Sequence, residues 1–113
     1  MKINKELMKG STSILILSLL SSADMYGYQI AQELKIASDH VFDLKEGTLY
    51  PMLHALENEK AVESFWMNAD NGKRRKYYKI TEEGKKLLKH KTEEWKIYTN
   101  AVNSLIGGSF NAG

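Results

Sequence analysis

Hydrophobic and polar positions divide the chain into a short series of elements. Residues 14–20, ILILSLL, are apolar apart from Ser18. That density predicts a helix covered on nearly all sides, running from about Asn4 to Leu20. Gly27, Ile30, Ala31 and Leu34 then recur at helical spacing, with Ser22 or Asp24 available as a cap and an end near Ala37–Ser38. HVFDL, residues 40–44, is β-branched and aromatic and reads as one short extended segment. Leu49, Met52, Leu53 and Leu56 form a clean apolar stripe at i, i+3, i+4 and i+7. Pro51 is the only proline; a helix tolerates one where its first N–H groups have no partner. This third helix is therefore expected to open near Gly47–Thr48 or to have an irregular first turn. The face opposite its stripe shows Thr48, Tyr50, Pro51, His54 and Glu57.

AVESFWM and RKYYKI are two β-prone runs flanking NADNGK, whose Asn-Gly suits a hairpin turn. Alternation sends Tyr78 and Ile80 to one face and Tyr77 and Lys79 to the other. Thr81 caps a last helix that places Glu82 and Glu83 against its dipole. The order is that of a winged helix-turn-helix: mainly α, with a small antiparallel β-hairpin and a long C-terminal helix. Residues 1–80 make the winged unit, 81–106 a dimerisation helix in the same compact body, and 107–113 a frayed tail.

The last helix carries a second periodicity. Leu88, Trp95 and Val102 recur every seven residues, and Tyr98 and Leu105 fill the alternate apolar positions, with Lys91 the polar exception. This is an a/d seam. A symmetric dimer would bury it and present two wings to the half-sites of a pseudo-palindrome. The alternative is that the helix folds back onto its own first helix. Leu7 and Met8 are placed to cover the partner's helix. Trp95 is large for a tight two-stranded seam, so two copies either fill the core or leave a gap for a flat aromatic ligand.

Charge sharpens this picture. The net charge is only +2, but Lys73 to Lys91 holds nine Lys or Arg against two Glu. Asp39 to Glu63 reverses the balance, with six acidic residues against two lysines. One pole is basic. With no cysteine, disulfide frameworks and thiolate chemistry are excluded, and a reducing cytoplasm is the expected compartment. The N-terminal lysines followed by an apolar run loosely match a secretory signal. Glu6 interrupts the basic part, however, and the apolar run is short and too brief to span a bilayer. His40, His54 and His90 are scattered, without metal spacing or a phosphate-cradling glycine loop, so neither catalysis nor a cofactor is expected.

In a helix-turn-helix the second helix enters the major groove. Here it starts at Thr48, where free N–H groups attract phosphate and the Thr48 and Tyr50 hydroxyls add donors. Its exposed face has no arginine, so the bidentate guanine contact is missing; base reading falls to Thr48, Tyr50 and His54, or is indirect. Tyr50 could instead pack on the preceding helix. Lys73, Arg74, Arg75 and Lys76 form either a solvated turn or a wing that displaces counterions from DNA. Tyr77 lines the same surface, while Tyr78 is assigned to the core.

MYGYQIAQEL, EGTLYPMLHALENE and GKRRKYYKITEEGKKLL resemble, in order and spacing, the PadR family of bacterial transcriptional regulators. The match covers about residues 10 to 90. The resemblance implies double-stranded DNA as partner, with Thr48 and Tyr50 in the recognition helix and Lys73 to Lys76 in the wing. It puts Tyr26 and Tyr28 near phosphate or in packing. The single last helix is similar to the short, dimeric subclass, some members of which are multidrug-sensing repressors. EEW then aligns Trp95 with a tryptophan that sandwiches planar aromatics, between seam neighbours Leu88 and Tyr98. Ala55 and Lys60 depart from the family's usual arginine and glycine, so operator preference does not transfer. The expected function is a homodimeric repressor with a planar aromatic effector and no membrane association. The rivals are an effectorless regulator, a winged-helix protein-interaction module and a secreted small domain.

Overall fold

The computed structural model describes residues 4–108. The N-terminal region expected as one helix is two, α1 (Lys5–Lys9) and α2 (Thr12–Ser22). The break has a local cause. The Ser11 N–H and both the Ser11 and Thr12 hydroxyls donate to the Met8 carbonyl, the hydroxyls at 3.1 and 2.8 Å. Gly10, a poor helix former, sits between the two helices. α2 then buries Ile16, Leu17 and Leu20 completely or nearly so.

The third strand of the sheet is one the sequence pattern hid. Met25–Tyr26 (β1) pairs antiparallel with Arg74–Ile80 (β3), which also pairs with Val62–Asn68 (β2), giving the order β1-β3-β2. α3 (Gly27–Ala37) follows β1 directly, so Tyr26 occupies its N-cap without a side-chain bond; neither Ser22 nor Asp24 caps it. HVFDL forms no strand. Asp39 and His40 take left-handed backbone angles (φ 52° and 69°), and their N–H groups bond the Ile36 and Lys35 carbonyls to close α3. Phe42 and Leu44 then pack against the core as single side chains.

α4 (Glu46–Asn58) starts at Glu46, a residue earlier than expected. Its first turn is tight, because the Lys45 carbonyl accepts from both Thr48 (3.0 Å) and Leu49 (2.9 Å). Pro51 is the sixth helical residue, beyond the free N–H groups, and cannot donate to the Gly47 carbonyl. Leu49 and Leu53, almost fully buried on either side of it, anchor the helix through that defect. One core joins Ile16, Ile30, Leu34, Leu49, Leu53 and Tyr78 with their neighbours from every layer.

α5 (Glu82–Asn103) is latched to the base of the sheet. The Thr81 hydroxyl accepts from Gly84 N–H at 2.9 Å and lies 2.6 Å from the Lys60 carbonyl. A Cβ on Gly84 would overlap the Ala61 carbonyl oxygen, so this contact requires glycine. α5 packs against α2, then projects as part of a body 61 Å long. A π-helical turn, Ser104–Gly108, continues it; the rest of the expected tail, 109–113, lies outside the described residues.

Candidate nucleic-acid interface

α4 presents Thr48, Tyr50, Pro51, His54 and Ala55 to solvent. Glu57, expected on this face, turns inward instead: it is half-buried and accepts the Ser64 hydroxyl at 2.5 Å. Tyr50 does two things at once. It is 42% exposed, yet its ring edge lies over Gly27 so closely that a Cβ there would sit 2.7 Å from its hydroxyl. The packing alternative is thus realised, with the hydroxyl end of the ring against Gly27, while the residue as a whole stays 42% exposed. Tyr78, buried beneath, has its hydroxyl pKa pushed up by burial, with Glu57 and Tyr50 adding to the shift.

The wing divides its cations between two faces. Arg74, Lys76 and Tyr78 alternate with Arg75, Tyr77 and Lys79 along β3. The first set shares a face with Ser64 and Trp66, whose partners across the ladder are Tyr78 and Lys76. Because Ser64 is bonded to Glu57 of α4, this face continues outward from the recognition helix. There the Arg74 guanidinium stands 5.0 Å from the Trp66 ring centroid. On the other face Tyr26, Tyr77 and Phe65 form a row across all three strands, with centroids 5.4 and 5.8 Å apart. Arg75 lies on Tyr26 at 4.4 Å. The turn is held by Gly72 (φ 81°) and by Asn71 Oδ1 accepting from Lys73 N–H at 3.1 Å. Among the described residues no carboxylate pairs with Lys73, Arg74, Arg75 or Lys76. Tyr28, on the first turn of α3, is 57% exposed.

The sequence singled out neither Trp66 nor Phe65. Trp66 is 56% exposed although β-prone runs usually bury such side chains, and its signal was the spacing that puts it opposite Lys76.

At the opposite end, the a/d residues of α5 have different fates. Leu88 packs against the core of its own chain and does not reach the Trp95 surface. Its seven-residue step carries it about 10 Å along the axis. Trp95 is half-buried beside Tyr98, with centroids 6.0 Å apart. Together with Gly10, Ile14, Lys91 and Glu94 they line a cavity of about 330 Å³. Val102 and Met8 are half-buried, whereas Leu7 and Leu105 are 65% and 71% exposed. The helix therefore folds back over its first half, and in its second half and the turn that follows, Ile97, Leu105 and Ile106 remain largely exposed. Among the described residues no helix is long and apolar enough to cross a membrane, and no group of three His, Asp or Glu could hold a metal.

Residues 16–90 match the model of the transcriptional regulator PadR-like family. A transcriptional regulator from Clostridium thermocellum is 36% identical, with a TM-score of 0.83 over 90% of this chain and 99% of that one. A PadR family transcription regulator from Clostridium difficile is 37% identical, with a TM-score of 0.75 over 86% and 99%. The transcriptional regulator Rv3488 of Mycobacterium tuberculosis is 30% identical across 92% of this chain and 91% of its own length.

Proposed function

Because this chain belongs to the PadR-like family of transcriptional regulators, we propose that it is a homodimeric repressor that binds a pseudo-palindromic operator. The observation that carries this reading is the continuity of the wing cations, free of carboxylate partners among the described residues, with the polar face of α4. In this reading α4 enters the major groove, with Thr48, Tyr50 and His54 facing the bases. Arg74 and Lys76 from the α4 side, with Lys73 in the turn before them, meet phosphate or the adjacent minor groove, and Arg75, from the other face, adds a lesser contact. Tyr26 acts through Arg75, which it holds, while Tyr77 braces that row and Tyr28 lies toward the backbone. Residues 4–80 serve as the reading unit and α5 as the joining one.

The test is fluorescence-anisotropy titration of DNA from upstream of the coding region against a scrambled duplex, each over a salt series. Binding about a hundredfold tighter to the upstream duplex, within the usual range for specific recognition, is the expected result. Equal, weak binding to that duplex and to a pool of random sequences would instead leave only a basic surface, as in a protein-interaction module.

The cavity at Trp95 is proposed as half of an effector site, completed by the partner's copy. A planar aromatic would stack on the indole, and it shifts DNA binding only if the two dimer arrangements hold it with different affinity. α5 can transmit such a change, since its first turn is fixed to the sheet at Thr81 and Gly84. A planar aromatic that does not itself bind duplex DNA, such as a flavin, should quench Trp95 and change operator affinity by about fivefold or more. Trp95→Ala should abolish both responses while leaving ligand-free DNA binding intact; an unaltered response would remove the site.

A further inference from the structure

We propose that Trp66 and Arg74 form a pre-assembled reader of minor-groove width, selecting A·T-rich base pairs beside each half-site. The inference rests on the DNA-binding reading above and adds to it where specificity comes from. α4 has no arginine or lysine between Glu46 and Asn58, so the strongest major-groove contact is missing from it. Discrimination must then come from weaker contacts there or from elsewhere on the same surface.

The wing supplies a specific device. Trp66 is 56% exposed near the tip of β2, and nothing in the core explains an indole at that position. The Arg74 guanidinium is 5.0 Å from its ring centroid, and Lys76 is its direct cross-strand neighbour. Stacking on an indole confines a long side chain at little cost in hydration, because the planar guanidinium is weakly hydrated on its faces. Among the described residues Arg74 has no carboxylate partner to draw it away. The face belongs to the side of the sheet that contacts α4 through Ser64 and Glu57, so it overhangs the flank of whatever groove α4 occupies. A narrow A·T minor groove concentrates negative potential and favours an inserted arginine, whereas the guanine amino group obstructs the floor of a G·C groove. The exposed indole is suited to lie along the groove wall as an apolar contact.

The experiment takes the duplex that the full-length protein enriches from a randomised pool and replaces only its flanking pairs. Three versions carry A·T, G·C or inosine·C flanks; inosine lacks the minor-groove amino group but keeps the guanine major-groove edge. The wild type should bind A·T flanks about tenfold tighter than G·C flanks, the effect of a single well-read pair. Inosine·C flanks should bind like A·T. Trp66→Ala and Arg74→Lys should each bring the A·T to G·C ratio within about twofold, while the penalty for changing a central half-site pair stays at the wild-type value. Trp66→Phe, which keeps an aromatic platform, should retain part of the ratio. Circular dichroism melts identify any variant that is not folded, and Arg74→Lys and Trp66→Phe then stand in for it. Equal wild-type binding to A·T and G·C flanks, inosine·C flanks that behave like G·C, or an unchanged ratio in folded Trp66→Ala would each overturn the proposal. Failure of the regulator reading looks different: no duplex would be enriched at all.

Discussion

Replacing Val102 and Leu105 together by glutamate is expected to yield a folded monomer that has lost about two to three orders of magnitude in affinity for a complete operator. The first half of α5 is held by its own chain through the Thr81 cap, the close approach at Gly84 and contact with α2. Beyond Trp95 the helix is much less covered: Tyr98 still borders the cavity with Ile14 and Val102 is half-buried, but Ile97, Tyr98, Leu105 and Ile106 are 73%, 59%, 71% and 77% exposed. Burying a leucine or valine contributes on the order of 2 kcal/mol, and a two-fold seam counts each residue twice. The double substitution removes four such contributions and faces carboxylates with one another. Without the seam the second half-site is no longer bound from a high effective concentration, and avidity of about 10² to 10⁴ is lost. Sedimentation velocity should show the monomer, far-ultraviolet circular dichroism should be nearly unchanged, and affinity for an isolated half-site should match the wild type. A variant that stays dimeric would place the interface elsewhere.

Much of this architecture could be read from the chain because it depends on periodicity. The Leu49–Met52–Leu53–Leu56 stripe, the Tyr78/Ile80 alternation and the Thr81 cap are local patterns, and each has the expected place. What escaped depends on partners distant in sequence. β1 is two residues long and is a strand only because Met25 and Tyr26 meet Tyr78 and Tyr77. HVFDL has strand-forming residues but no ladder to join, so turn geometry at Asp39 and His40 prevailed. Pro51 misled by a single residue, because core anchoring at Leu49 and Leu53 outweighs one missing hydrogen bond. The heptad located the last helix but could not say where folding back ends; that point is set by the reach of α2. The basic run was plain, while its division between two faces became visible only with the register.

That division makes the second large effect specific. Changing Lys73 of the turn together with Arg74 and Lys76 of the α4-side face to alanine should lower the slope of log affinity against log salt by about five for the dimer. Each phosphate contact contributes about 0.9 to that slope, and a two-fold complex would lose six of them. At about 0.1 M salt the loss amounts to several orders of magnitude, and scrambled DNA should weaken along with the operator. Arg75→Ala should behave differently. Arg74 and Lys76 also lie over rings, Trp66 at 5.0 Å and Tyr78 at 5.8 Å, but on the α4 side; Arg75 lies on the opposite face, 4.4 Å from the Tyr26 ring beside the Tyr26–Tyr77–Phe65 row. Its removal should change the slope by less than about one, against about 1.8 for a phosphate contact made in both copies, while exposing Tyr26 to quenching and loosening the short β1–β3 pairing. Stability should shift by no more than about 1 kcal/mol, the size of an exposed cation–π contact. A wing acting as an undifferentiated cloud of charge would make all four cations equivalent, so Arg75→Ala would cost as much per residue as the triple change. Equal slopes per residue would therefore dismiss the two-faced wing. Unequal ones would identify the α4 side of the sheet as the surface against DNA.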